Sequence, residues 1–140
     1  MSKKQQTLIG KNRFKKLTSL EKICYITALQ KSNLHGDKLE IFLGHILKND
    51  SDPIVRHEAA FALGNLQQQG RISGNNSLKT LTSAIRDDKS IVVRHEALEA
   101  LQTYPFIKVH KLLEQYSTHL NSDLKATARI SLAKSKSLIV

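Results

Sequence analysis

Two dipeptides in this 140-residue chain could do chemistry, His57-Glu58 and His95-Glu96. An imidazole and a carboxylate are nitrogen and oxygen donors suited to a transition metal, and two histidines with one carboxylate hold non-haem iron with positions left open. Spacing removes one alternative. A zinc-protease helix needs a second histidine four residues after the first, and those places hold Phe61 and Glu99. One doublet cannot easily clasp an ion either, because neighbouring residues on a helix diverge by about 100°. Imidazoles carried one repeat apart, on adjacent helices, can close on a single ion.

The doublets do lie in a repeat. PIVRHEAAFALGNL (53–66) aligns with IVVRHEALEALQTY (91–104) at an offset of 38, pairing Val55 with Val93, Arg56 with Arg94, Ala59 with Ala97, Ala62 with Ala100 and Leu63 with Leu101. Each copy follows an acidic turn, Asp50-Ser51-Asp52 or Asp87-Asp88, and a degenerate third copy, DLKATARISLAK (123–134), has Ala126-Thr127 where His-Glu stood. Shorter amphipathic segments precede the copies at 38–48, 77–86 and 107–119. An earlier helix over 19–30 is opened by Thr18 with Glu21 three residues on, a capping box. Pro53 suits the first turn of its helix, Gly36, Gly70 and Gly74 fall in loops, and Pro105 ends a helix. No stretch alternates with period two for long enough to be a strand. A period near 40 residues holding two helices predicts an all-α fold, an α-solenoid of helical hairpins with about seven helices in three to four repeats. One domain is expected over 16–140, preceded by a basic, frayed segment at 1–15.

Helical geometry then orients the doublets. With Val55 at zero, Ala59, Ala62, Leu63 and Leu66 fall within roughly 80° and form the packing stripe. His57 falls at about 200°, opposite the stripe with Phe61 and Gly64 beside it, and Glu58 on the flank. His95 and Glu99 point away from the stripe in the same manner, and Glu96 takes the flank. The second helix of each solenoid repeat commonly lines the concave surface, so His57 and His95 are expected side by side there. Carboxylates at this positively charged centre are expected to stay ionised, which lowers the work of placing a cation among them.

Composition narrows the classes of function. Hydrophobic residues make up 40% and charged residues 24%, the values of a globular chain with a core rather than a disordered one. A single cysteine, Cys24, excludes a disulfide framework or multi-cysteine zinc site and suits a reducing, cytoplasmic setting. Cys24 lies among Ile23, Tyr25 and Ile26 and is expected to be buried. Apolar runs are too short to span a membrane, and the first residues lack the apolar stretch of a signal peptide. Residues 1–22 hold seven basic side chains against Glu21 alone, so +6 of the net +10 lies there. Such a segment can attract nucleic acid or an acidic protein, but with 5% aromatic residues and no tryptophan a stacking platform is poorly supplied and nucleic acid is not the expected partner. His35, His45, His110 and His119 bear no repeat relation and are expected at ordinary surface or half-buried positions. No phosphate-binding glycine loop or Ser-His-Asp arrangement is present, and no residue is assigned a catalytic role.

The Val-Arg-x-x-Ala-x-x-Ala-Leu skeleton resembles the HEAT-repeat pattern, of the wider phycobilisome-lyase-like group. VRHEAAFALGNLQ and VVRHEALEAL are similar to the His-Glu helices of the deoxyhypusine hydroxylases, HEAT-repeat enzymes whose four His-Glu motifs, two in each half, clamp a di-iron centre. By that resemblance, His57, Glu58, His95 and Glu96 match the two motifs of one half, across about 38–120. This chain is half as long, with two motifs, and its linker GRISGNN lengthens the repeat. The resemblance therefore implies a homodimer in which two copies supply four motifs, each iron (Fe) taking both histidines from one chain and a glutamate from the other. It implies an oxygen-dependent hydroxylase acting on a protein side chain, with an acidic partner received on a basic concave face. The alternative is a metal-free HEAT-repeat adaptor in which Arg56 and Arg94 only tie neighbouring repeats together.

Overall fold

The computed structural model describes residues 6–104 and 107–119, with Lys125 and Arg129 besides. Seven helices and no strand occur among the described residues: α1 (Lys11–Lys15), α2 (Ser19–Lys31), α3 (Asp37–Asn49), α4 (Pro53–Gln68), α5 (Leu78–Asp87), α6 (Ile91–Leu101) and α7 (Ile107–His119). The expected all-α hairpin repeat is present. Pro105 and, apart from Lys125 and Arg129, the copy at 123–134 lie outside the described residues.

Local chemistry starts the helices where the sequence places them. The Thr18 hydroxyl accepts from the Glu21 amide at 3.2 Å while the Thr18 amide donates to the Glu21 carboxylate at 3.0 Å, which satisfies two otherwise orphaned amides of α2. Asp52 accepts from the Ile54 amide at 2.9 Å to cap α4, with Pro53 in the first turn, where it removes no hydrogen bond. The expected helix over 91–104 is shorter, ending at Leu101.

The helices form two layers. The inner layer runs α2, α4, α6 and the outer layer holds α3 and α5, with α4 packed against α2, α3 and α6. Val55, Ala59, Ala62, Leu63 and Leu66 are all fully buried, as are Val93, Ala97 and Leu101, so the stripe deduced from about 100° per residue is the packing face. Cations on the inner helices tie repeat to repeat. Lys22 of α2 meets Asp50 in the turn before α4 at 2.8 Å, and Arg56, at the equivalent place in α4, holds Asp88 before α6 with two bonds of 2.9 and 3.0 Å. Arg94 instead donates to the Ile85 carbonyl of α5 at 2.8 Å, within its own hairpin.

Two expectations are corrected. Of the segment 1–15 expected to fray, Lys11–Lys15 forms a helical turn anchored by Phe14, which is buried against Tyr25 and Phe42. Cys24 is exposed, not buried: α2 turns Ile26 and Leu29 inward, and a residue two before Ile26 lies about 200° away from it. The GRISGNN linker is held from both sides. Arg71 donates to the Leu29, Gln30 and Leu34 carbonyls around the end of α2, and the fully buried Glu40 carboxylate accepts from Ser73, Gly74 and Ser77. Gly74 has φ 85°, and a Cβ there would stand 2.6 Å from Gln67 Oε1 and 2.9 Å from the Tyr104 ring, so only glycine closes this loop.

Candidate metal centre

Position along the inner helices decides what faces what. His57 and His95 are the fifth residues of α4 and α6, and Glu58 and Glu96 the sixth. On each helix the imidazole leans to one flank and the carboxylate to the other, about 100° apart. Because α4 and α6 lie side by side, the histidine of one motif meets the glutamate of the next. His57 Nε2 stands 3.1 Å from Glu96 Oε2, and its Nδ1 3.7 Å from Glu58 Oε1. The centre is thus an imidazole flanked by carboxylates of both motifs. His95 is half-buried on the same face. On α2 the fifth and sixth places are Ile23 and Cys24, so the His-Glu pattern does not extend to that helix.

The close approach of the two helices comes from small residues. Gly64 is buried, and a Cβ on it would stand 3.1 Å from Ala100 Cα. Gly64 therefore belongs to the α4–α6 contact, not to the open face beside His57 as expected from its angle alone. Phe61 and Glu99, at equivalent places one turn beyond the doublets, are exposed.

Electrostatics at the doublets differ from expectation. Burial pushes the Glu96 carboxyl up from its ordinary range; His57 pulls it back, while Glu99 and Glu58 add to the rise. The charged groups acting on Glu96 are His57 and the carboxylates of Glu99 and Glu58. Glu58 and Glu99 stand near Glu96 on this face. Sequence reasoning missed the crossed His57–Glu96 pairing. The signal was available in the repeat: the histidine leaves one flank of its helix and the glutamate the other, so on parallel neighbours the two must face each other across the groove.

Among the described residues no group of three or more His, Cys, Asp or Glu stands positioned to hold an ion by itself. The donor chemistry nonetheless suits a cation. Imidazole nitrogens and carboxylate oxygens share one face, and the mutual repulsion of Glu58, Glu96 and Glu99 is what a bound cation relieves.

Comparison with known proteins now bears on this arrangement. The HEAT-repeat family, described as HEAT repeats, matches residues 41–133. The chain is a HEAT-repeat protein. It resembles deoxyhypusine hydroxylase of Rattus norvegicus, 31% identical over 86 residues, and that of Bos taurus, 29% identical over 87 residues, each match covering 61% of this chain. The solved structure of human deoxyhypusine hydroxylase in complex with glycerol superposes with a TM-score of 0.74 at 22% identity, over 89% of this HEAT-repeat chain. The matched stretches cover only 26% and 27% of the two curated relatives and 40% of the solved human chain. No described helix is long and apolar enough to cross a membrane.

Proposed function

We propose that the face of α4 and α6 carrying His57, Glu58, His95 and Glu96 is half of a di-iron site, completed by the same four residues of a second copy in a two-fold homodimer. Iron held by imidazoles and carboxylates would supply redox chemistry with dioxygen, and the activity proposed is hydroxylation of a protein side chain, in which one oxygen atom enters a C–H bond and the other leaves as water with two electrons and two protons from an external reductant. The observation that carries the reading is the crossed pair: the His57 imidazole and the Glu96 carboxylate, from different motifs, meet at 3.1 Å on one face. The chain's own residues do three things in it. The histidines present nitrogen donors, the glutamates balance cationic charge, and the Gly64–Ala100 contact fixes how near the two motifs stand. The likeness to deoxyhypusine hydroxylases supports the reading, and the second copy is proposed to supply two further His-Glu motifs beside the two at 57–58 and 95–96.

The test is metal stoichiometry and solution mass on one sample. Protein grown with supplemented iron is expected to carry about one iron per chain and run as a dimer, with metal and dimerisation lost together on chelation. His57→Ala is expected to lose iron while keeping its helical circular dichroism. Protein free of iron, cobalt and manganese after supplemented growth ends the proposal.

One observation favours a second reading. Leu20, Ile54 and Val92, the second residues of α2, α4 and α6, are 70%, 60% and 57% exposed, an apolar row beside the doublets of the kind that docks another protein. A metal-free adaptor would use that row alone, and purified protein would show no visible absorption band.

A further inference from the structure

Away from the doublets, α1 and α3 border a cleft of about 630 Å³ whose lining shares no residue with the His-Glu face. Its base is apolar: Phe14 and Phe42 are 4% and 5% exposed, with their rings edge to face at 5.4 Å. Its rim is cationic. Lys11 and Lys15 are four apart on α1 and share one edge of that helix, while His45 and Asn49 do the same on α3. The Asn49 side-chain amide lies 3.2 Å from His45 Nδ1 and donates to the His45 carbonyl at 3.0 Å.

The one carboxylate bordering the cleft is already used. Asp50 is bound by Lys22 at 2.8 Å, with both side chains nearly buried. Lys11, Lys15 and the adjoining Lys48 form no ion pair among the described residues. Burial holds the His45 imidazole below its ordinary value, and Lys11 and Lys48 push it further the same way, so the potential at the cleft is felt by a group inside it. Unpaired like charges gathered from two helices over an apolar base repel one another, and an anion relieves that repulsion.

The kind of anion follows from the shape. Single-stranded nucleic acid is gripped by exposed aromatic faces on which bases stack, and here both rings are packed into the core. A duplex is tracked by a long basic strip, whereas α1 is five residues long. A short run of carboxylates fits the ammonium groups of Lys11 and Lys15 on the cleft's edge, with Lys48 beside it. We infer that the α1–α3 cleft is a docking site for an acidic peptide segment of another protein. This site is independent of any metal at the doublets.

The chain has no tryptophan, so an eight-residue peptide of alternating Glu and Asp with one central Trp reports binding through its own fluorescence. Saturable binding is expected at low salt, weakened about tenfold or more by the double variant Lys11→Glu/Lys15→Glu and again by Lys48→Glu. Lys89→Glu, in the exposed turn before α6, is expected to leave it unchanged. All these positions are exposed, and far-UV circular dichroism and iron content of each variant are expected to match the parent. The inference fails if the parent does not bind the peptide, or if the α1 variants bind as the parent does. It also fails if an eight-nucleotide single strand binds more tightly than the peptide and loses affinity in the same variants.

Discussion

Glu96 is the residue at which folding and the proposed chemistry pull apart. Its side chain is 14% exposed, is paired with the His57 imidazole, and has two further carboxylates near it. A carboxyl raised above its unfolded value favours the protonated form on folding, so the ionised form opposes folding as pH rises through that interval. Residues kept against stability are typical of binding sites. Glu96→Gln, which can still accept a hydrogen bond from His57, is therefore expected to leave the metal-free protein as stable as the parent or more so. The gain should be modest, and iron content should fall toward zero. Urea unfolding and elemental analysis on the same preparation check both; a clear loss of stability would mean that Glu96 is held for structure. The four candidate ligands were legible in the sequence because a doublet repeated at an offset of 38 has no packing reason to be there. Their crossed pairing was not read, since it depends on helix neighbours as well as on angle. Cys24 was misread because its apolar sequence neighbours are not its spatial ones.

At the scale of elements, α4 and α6 each need a defined start to hold their doublets one turn further on. Asp52 does this for α4. Its carboxyl is held below the usual range by the Ser19 hydroxyl, then by the Ile54 amide, with Arg56 and Lys22 adding to the effect. A lowered folded value means the stabilisation is present above the unfolded value and vanishes as pH falls through the folded one. Asp52→Ala is expected to lower stability by about 1 kcal/mol at pH 7. Parent and variant should converge as the pH drops below about 4, which melts followed at several pH values will show; a gap unchanged at acid pH would rule out the ionised cap. Most helices and the packing stripes were legible because helical periodicity and caps are local signals. Helix α1 was not, because its one buried side chain, Phe14, finds its pocket between α2 and α3, a contact no short window contains. The tight linker was hidden for the same reason: Arg71 reaches back to the end of α2 and Glu40 forward from α3 into the loop, contacts between segments far apart in sequence.

For the whole molecule, stacked repeats are only as cooperative as the joints between them. Two joints are ionic and equivalent by position, but they are not equal. Lys22 gives Asp50 one bond, whereas Arg56 gives Asp88 two and the Asp50 carbonyl a third at 2.8 Å. Asp88 is 8% exposed, so removing its partner leaves a carboxylate with little access to water, which is the expensive way to break such a pair. Arg56→Met is expected to destabilise by about 3 kcal/mol, more than Lys22→Met, and to shallow the urea transition as the α5–α6 hairpin loosens from α4. The cause can be separated from lost packing. In Arg56→Met/Asp88→Asn the orphaned charge is gone while the side-chain oxygen can still accept from the Ser90 amide, a bond of 2.9 Å in the parent. The double variant should therefore be more stable than Arg56→Met alone, and a double variant that is weaker still would show that the joint is held by packing rather than by charge.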